Sequence, residues 1–164
     1  MGDDVEPVAW LDEGQQRAWR AYLRAGRLLD VALDRDLGDG VQLSEYEILV
    51  QLSEAPQRRR RMSEIADLVV QSRSRLTHTA SRLERRGWVA REQCSGDRRG
   101  VELLLTDEGM AELVRLAPVH VASVRRHLVD LITPEQLTEL GTIMVAISEH
   151  LDPARTSVGE PREV

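Results

Sequence analysis

One stretch, residues 71–109, limits the possible folds more than any other part of the chain. Its first half predicts a single amphipathic helix over Arg73–Arg86. The apolar positions of that helix, three and four residues apart, are Leu76, Ala80 and Leu83. Ser72 or Ser74 can cap the start of the helix, and Gly87 stands where a left-handed C-terminal cap would end it.

The second half of the stretch predicts two short strands, Trp88–Cys94 and Val101–Leu105, joined by the turn-forming segment Ser95–Asp97. Arg98 and Arg99 lie at the tip of this hairpin. A basic helix followed directly by a basic hairpin is typical of a winged helix-turn-helix. In that fold the helix enters a major groove about 12 Å wide, and the hairpin reaches phosphates and the minor groove. The alternative is a helix and hairpin with a solvated charged face.

Side-chain size and the position of charge favour DNA as the partner. Five short polar side chains allow the helix to lie close to base edges: Ser72, Ser74, Thr77, Thr79 and Ser81. Residues 58–99 hold twelve arginines and five acids, whereas the rest of the chain holds ten arginines and twenty-three acids. The net charge of −6 therefore does not exclude a polyanion, because binding depends on the potential of the contacting face.

All 22 basic residues are arginine, a preference that suits bidentate contacts to phosphate and guanine or that reflects genome composition. Four of them form the run Arg58–Arg61. This run either follows a phosphate backbone, with release of counterions, or forms a solvated loop or a small edge strand.

Several motifs resemble the MarR family of bacterial transcriptional regulators. The segments Asp97–Arg99 and Leu105–Gly109 are similar to the D-x-R and L-T-x-x-G of that family at its fixed spacing. Upstream, Ile65–Leu68, Leu76–Thr77 and Leu83–Arg91 resemble its helix-turn-helix. The resemblance covers about residues 45–110 and implies a DNA-binding regulator.

The resemblance also implies roles for particular residues. It puts Arg99 in the minor groove, with Asp97 orienting nearby guanidinium groups, and it implies a small, often aromatic or phenolic, ligand between the dimer-forming helices and the winged lobe. The family often has an arginine after the threonine that corresponds to Thr77, where this chain has His78. The family's sequence preference is therefore not carried over.

The predicted fold is mainly α with a small β hairpin, a winged helix-turn-helix lobe plus a helical dimerisation region. The expected divisions are a flexible N-terminus at 1–9, an N-terminal dimerisation helix at 10–38, the winged helix-turn-helix at 44–106, C-terminal dimerisation helices at 107–151 and a polar tail at 152–164. Ser44, Ser63 and Thr106 are the expected caps of inner helices, and Thr133 and Pro134 begin the last one. Pro118 lies inside a long predicted helix, and we expect a kink there.

Both ends of the chain carry more apolar side chains than a small winged helix can cover. These stripes either pair with a second copy or pack within one chain, and the MarR resemblance implies a homodimer. A two-fold dimer would place two reading helices about 34–36 Å apart and predicts a pseudo-palindromic operator of double-stranded DNA.

The candidate DNA contacts fall into two groups. The residues expected at base edges are Ser74, Arg75, Thr77 and His78. Those expected at phosphates or in the minor groove are Arg73, Arg82, Arg98 and Arg99. Operator binding next to a promoter would block polymerase, which makes a repressor the expected role.

Other functions have less support in the sequence. Trp19, Tyr22 and Tyr46 are candidates for a ligand pocket, although aromatics at helical spacing are more often core. A redox response through Cys94, a metal response or a winged helix used for protein contacts are the alternatives. No cofactor or metal is expected, and no phosphate loop, zinc-ligand spacing or Ser-His-Asp arrangement indicates an enzyme. One cysteine and the lack of a signal peptide or long apolar run predict a cytoplasmic protein away from membranes.

Overall fold

The structure, a computed structural model, describes residues 8–94 and 100–152 of the 164-residue chain. In chain order, the helices are α1 (Glu13–Leu37), α2 (Leu43–Ser53), α3 (Met62–Leu68), α4 (Arg73–Arg85), α5 (Asp107–His127) and α6 (Pro134–Leu151). The strands are β1 (Arg59–Arg61), β2 (Val89–Gln93) and β3 (Val101–Leu105). Two compact units divide after Ser123. The first contains α1 through most of α5, and the second contains the end of α5 and all of α6.

The helix predicted over Arg73–Arg86 is confirmed as α4. Ser72 is its cap, with Oγ accepting from the Arg75 N–H at 3.3 Å, which decides between the two predicted serines. Gly87 has a φ of +74°, the left-handed conformation that glycine adopts without strain at a helix end. Sequence spacing therefore located this helix and both of its ends.

Two of the predicted caps are wrong. The N-cap of α2 is Gln42 rather than Ser44, and its N–H donates to Glu45 Oε2 at 2.9 Å. The N-cap of α3 is Arg61 rather than Ser63, so that helix begins one residue earlier, at Met62. In both places the structure starts the helix at a residue without the short hydroxyl that usually marks a cap.

The three strands form one antiparallel sheet in the order β1-β3-β2. β2 and β3 are the predicted hairpin, with Val89 opposite Leu105 and Gln93 opposite Val101. β1 adds an edge, with Arg60 opposite Leu103. Of the interpretations of the four-arginine run, the small edge strand is therefore confirmed.

The core of the first unit lies where α2, α3, α4, the sheet and α5 meet. Its largest fully buried apolar side chains are Ile48, Leu49, Leu52, Ile65, Leu76, Leu83, Leu103 and Leu116. The three predicted inner positions of α4, Leu76, Ala80 and Leu83, are all at most 1% exposed. With no Phe in the chain, aliphatic side chains supply the apolar burial that stabilises this lobe.

The start of α5 is fastened to the end of α4 by the residues of the L-T-x-x-G motif. Thr106 Oγ1 donates to the Gly87 carbonyl at 2.7 Å and accepts from the Gly109 N–H at 3.0 Å, which confirms the predicted cap. A Cβ on Gly109 would lie 2.0 Å from the Trp88 carbonyl oxygen. The glycine is required because α5 passes so close to the backbone at the start of β2.

α5 continues through Pro118 to His127. In the second unit, Thr133 caps α6 and Pro134 is its first residue, as predicted. Among the described residues, no helix combines the length and the apolar character that crossing a bilayer requires.

Candidate nucleic-acid interface

α4 presents one continuous polar face to solvent. The structure brings five of the predicted contact residues together on it, all exposed: Arg73, Ser74, Arg75, Thr77 and His78. Thr77 Oγ1 donates to the Arg73 carbonyl at 2.8 Å and Ser81 Oγ to the Thr77 carbonyl at 2.9 Å. Because both hydroxyls bond to carbonyls of their own helix, these side chains project little from its surface. The helix backbone can therefore come close to the floor of a groove.

The side chains of Arg73 and Arg75 form no ion pair with any residue that the structure describes. Burial and the neighbouring Asp30 raise the pKa of Glu47, while Arg75 acts in the opposite direction. Arg75 therefore lies within electrostatic reach of this carboxylate. Because neither arginine is held in an ion pair, both guanidinium groups can turn toward a polyanion.

Arg82 differs from the other predicted contacts. Its Nε donates to Glu45 Oε1 at 3.1 Å, and its Nη2 donates to Gln42 Oε1. This arginine is thus joined to the start of α2, and its contact with phosphate stays a prediction.

Arg91, on β2, belongs to the site although sequence reasoning missed it. Its Nη2 donates to the Thr77 carbonyl at 3.1 Å and to Ser81 Oγ at 2.9 Å, and its Nη1 lies 3.5 Å from Glu84 Oε2. The guanidinium therefore joins the wing to the side of α4. The partners lie seven to fourteen residues away along the chain, so no local spacing signals the contact.

The predicted wing contacts Asp97, Arg98 and Arg99 lie outside the described residues. The base of the wing is described: the Cys94 N–H donates to the Gly100 carbonyl at 2.9 Å. This bond extends the pairing of the two strands by one residue beyond Gln93 and Val101.

Two arginines of the edge strand region have acidic partners inside the protein. Arg58 Nη1 lies 3.0 Å from Asp107 Oδ1, and Arg59 Nη1 lies 3.5 Å from Glu92 Oε2 and 3.6 Å from Glu102 Oε2. Cross-strand pairs of opposite charge stabilise a small sheet. Arg58 and Arg59 thus have acidic partners within the chain, and the contact of the four-arginine run with a phosphate backbone stays a prediction.

The three aromatic candidates for a ligand pocket do not come together. Trp19 and Tyr22 stack on α1 with ring centroids 5.8 Å apart, each 51% exposed. Tyr46 is buried, and its ring centroid is 4.4 Å from that of His120. Burial lowers the pKa of His120 and raises that of Tyr46.

An open cleft of about 560 Å³ lies between α1, the start of α2 and the turn before α4. Its charged lining consists of Asp30, Asp34, Arg35, Glu47 and Arg75, and its apolar lining of Val31, Leu43, Val69 and Val70. None of the three aromatic candidates lines this cleft. It does reach Arg75, one of the predicted base contacts.

The alternative functions depend on the Cys94 thiol, on a group of metal ligands or on an apolar face of α4. The Cys94 thiol is buried. Within residues 8–94 and 100–152, no three His, Cys, Asp or Glu side chains are grouped so that they could hold a metal ion. The exposed residues of α4 are all polar, whereas an apolar face would favour protein contacts.

Known proteins resemble the chain over most of its length. A sequence model of the MarR family matches residues 39–100. The HTH-type transcriptional regulator PecS of Dickeya dadantii (strain 3937) is 33% identical over an alignment of 158 residues that covers 90% of this chain and 85% of PecS. Two crystal structures from Streptomyces coelicolor are also similar. AbsC, a MarR family transcriptional regulator, is 46% identical with a TM-score of 0.83, covering 89% of this chain and 99% of AbsC. Sco3205, a MarR family transcriptional regulator in complex with DNA, is 45% identical with a TM-score of 0.86, covering 92% of this chain and 95% of Sco3205.

Proposed function

Because the chain belongs to the MarR family of DNA-binding transcriptional regulators, we propose that it is a homodimeric repressor whose α4 helices read a pseudo-palindromic operator. The observation that carries the proposal is the exposed face of α4. It combines arginines that have no ion pair among the described residues with the short side chains of Ser74 and Thr77. Members of this family are regulators rather than enzymes. A bacterial regulator that binds the chromosome would act in the cytoplasm.

The contacts divide by chemistry. Ser74, Arg75, Thr77 and His78 face base edges in the major groove, where hydrogen-bonding groups distinguish base pairs. Arg73 contacts phosphate, and in the wing Arg98 and Arg99 reach phosphate or the minor groove, with Asp97 orienting them. An operator that overlaps a promoter then excludes polymerase.

Exposed apolar side chains support the homodimer. α1 exposes Trp19, Tyr22, Leu28 and Val31, and α6 exposes Ile143, Val145, Ile147 and Leu151 while burying none of its residues. Large exposed apolar patches are uncommon on soluble monomers and mark association surfaces. Light scattering should give twice the 18.5 kDa mass of one chain, and a mass of one chain would contradict the homodimer.

Anisotropy titrations on duplexes that tile the DNA upstream of the gene test the proposal. Tight binding to one duplex should weaken steeply with salt, because each contacted phosphate contributes about −0.9 to the slope of log K against log salt. Arg73→Gln should reduce that slope by about one. The matched control is Arg17→Gln, which should leave the slope unchanged. Among the described residues, this exposed arginine pairs only with Glu13, at 3.6 Å. A slope for Arg73→Gln equal to that of the wild type would contradict the phosphate contact.

The cleft beside Arg75 supports a second part of the proposal, release of DNA by a small phenolic ligand. A phenol can donate its hydroxyl to Asp30 or Glu47 while its ring covers Val31 and Leu43. Ligand and DNA would then be coupled through Arg75, and a ligand that prefers the DNA-free arrangement lowers DNA affinity. A thermal-shift screen of phenols, with the Asp30→Ala/Glu47→Ala double variant as the control, should give stabilisation that the double variant loses. Equal stabilisation of both proteins would exclude this cleft.

A further inference from the structure

A buried carboxylate lies beneath the reading helix. Glu45, in the first turn of α2, is 1% exposed and ranks among the largest fully buried side chains of the described residues. Its Oε2 accepts from the Gln42 N–H at 2.9 Å, and its Oε1 accepts from Arg82 Nε at 3.1 Å. A buried charge is costly unless it is paired and hydrogen-bonded. The ion pair with Arg82 therefore offsets the desolvation cost of this buried carboxylate.

Two of the three guanidinium nitrogens of Arg82 already have partners within the protein. Its Nε is used by Glu45 and its Nη2 by the side-chain oxygen of Gln42. Turning the guanidinium outward to a phosphate would leave the Glu45 carboxylate buried with no cation beside it. We propose that Arg82 and Glu45 are a positioning pair that fixes the orientation of α4 for DNA reading, and that Arg82 is not a phosphate contact. This inference rests on the proposed role of α4.

A second arginine at the end of α4 acts on the same segment. Arg86 Nη2 donates to the carbonyl of Gly40 at 2.7 Å, and its guanidinium lies 4.7 Å from the centroid of the Trp88 ring. Gly40, with a φ of +68°, belongs to the turn that follows α1. Arg82 and Arg86 together hold residues 40–45 against α4. The reading helix is thus tied to the end of α1, a helix that we propose to be part of the dimer interface.

A purely electrostatic role and a positioning role of Glu45 predict opposite changes in operator affinity for Glu45→Gln. This variant removes a negative charge close to the DNA-binding face, so electrostatics alone would strengthen binding to every duplex. A positioning role predicts the opposite for the operator, because α4 loses the ion pair that holds it. Binding to a scrambled duplex, which needs no fixed register, should not weaken.

The experiment compares Glu45→Gln, Arg82→Gln and the double variant on the operator and on a scrambled duplex. The operator is the duplex selected by the wild-type protein from a random library. Each single variant should lose roughly tenfold or more in operator affinity, and the double variant should lose no more than either one, because neighbours that act through one interaction are not additive. Arg85→Gln is the matched control for charge and should keep the ratio of operator to scrambled affinity. Within residues 8–94 and 100–152, this exposed arginine bonds only to the Ser81 carbonyl, at 3.3 Å.

Three results would overturn the inference. One is tighter operator binding by Glu45→Gln. Another is an Arg82→Gln variant that weakens both duplexes alike with a salt slope reduced by about one, the behaviour of a phosphate contact. The third is additive losses in the double variant. If Glu45→Gln does not fold by circular dichroism, Gln42→Ala takes its place. That change removes one acceptor of Arg82 without leaving a charge unpaired, and it should lower the ratio of operator to scrambled affinity.

Arg75→Gln in the same series separates this inference from the proposed function. If Arg75→Gln loses operator binding while Glu45→Gln behaves as the wild type, only the positioning role is wrong. If Arg75→Gln binds the operator as well as the wild type, the proposed role of α4 in base reading is wrong.

Discussion

Replacing Gly109 by alanine should destabilise the winged lobe. The added Cβ would lie 2.0 Å from the Trp88 carbonyl oxygen and 2.8 Å from Leu105 Cδ1, so the start of α5 or of β2 must move by more than about 1 Å to restore ordinary contact. Overpacking of this kind costs about 1–3 kcal/mol, and alanine regains about 1 kcal/mol of helix propensity. Because the nearest atom belongs to the backbone, the upper end of the range applies. We expect a net loss of about 2 kcal/mol in the free energy of unfolding.

Urea unfolding followed by far-ultraviolet circular dichroism, at one fixed protein concentration, measures this loss. The control is Gly26→Ala in α1, where an added Cβ meets nothing within 4 Å. That variant should be neutral or gain up to about 1 kcal/mol. A Gly109→Ala variant as stable as the wild type would refute the close packing of α5 on the start of β2.

Two further predictions concern side chains that join elements. His120 has a lowered pKa in the folded state, so the unfolded chain binds its proton more readily, and stability should fall as pH drops below about 6.5. His120→Phe keeps a ring against Tyr46 and should show a smaller drop in Tm between pH 7.5 and 5.5. An equal drop in Tm for the variant and the wild type would show that this histidine does not cause the pH dependence. Arg91→Met removes the hydrogen bonds to Thr77 and Ser81 and should cost about 1–3 kcal/mol in urea unfolding. If Arg91→Met unfolds with the same free energy as the wild type, these hydrogen bonds do not contribute to stability.

The elements that the sequence predicted well have local signals. α4 was located by Leu76, Ala80 and Leu83 on one face and by its serine cap and Gly87, all within one short segment. The bounds of β3, Val101–Leu105, agree with the prediction. The helix starts at Thr106 and at Thr133–Pro134 were predicted correctly. A helix start is signalled locally, by a cap that bonds three residues ahead and by a proline at the first helical position.

The features that sequence reasoning missed depend on contacts between distant residues. Arg82 looked like its exposed neighbours on α4, and only the fold brings Glu45, thirty-seven residues earlier, beneath it. Arg91 contacts α4 because the chain reverses at Gly87. The four-arginine run left a phosphate contact, a loop and an edge strand as alternatives, and the pairing with distant β3 decided for the strand at Arg59–Arg61. Ser44 lost its predicted role because Gln42 and Glu45 satisfy the first turn of α2 in its place.

Base reading by two α4 helices can be tested by selecting duplexes from a random DNA library with the purified protein. We expect one enriched sequence, an inverted repeat whose half-sites are centred about one helical turn apart. The same selection with His78→Ala should relax the preference at one symmetric position in each half-site and leave the remaining positions unchanged. Enrichment of no sequence, or a sequence that His78→Ala and Arg75→Gln leave unaltered, would contradict base reading by the exposed face of α4.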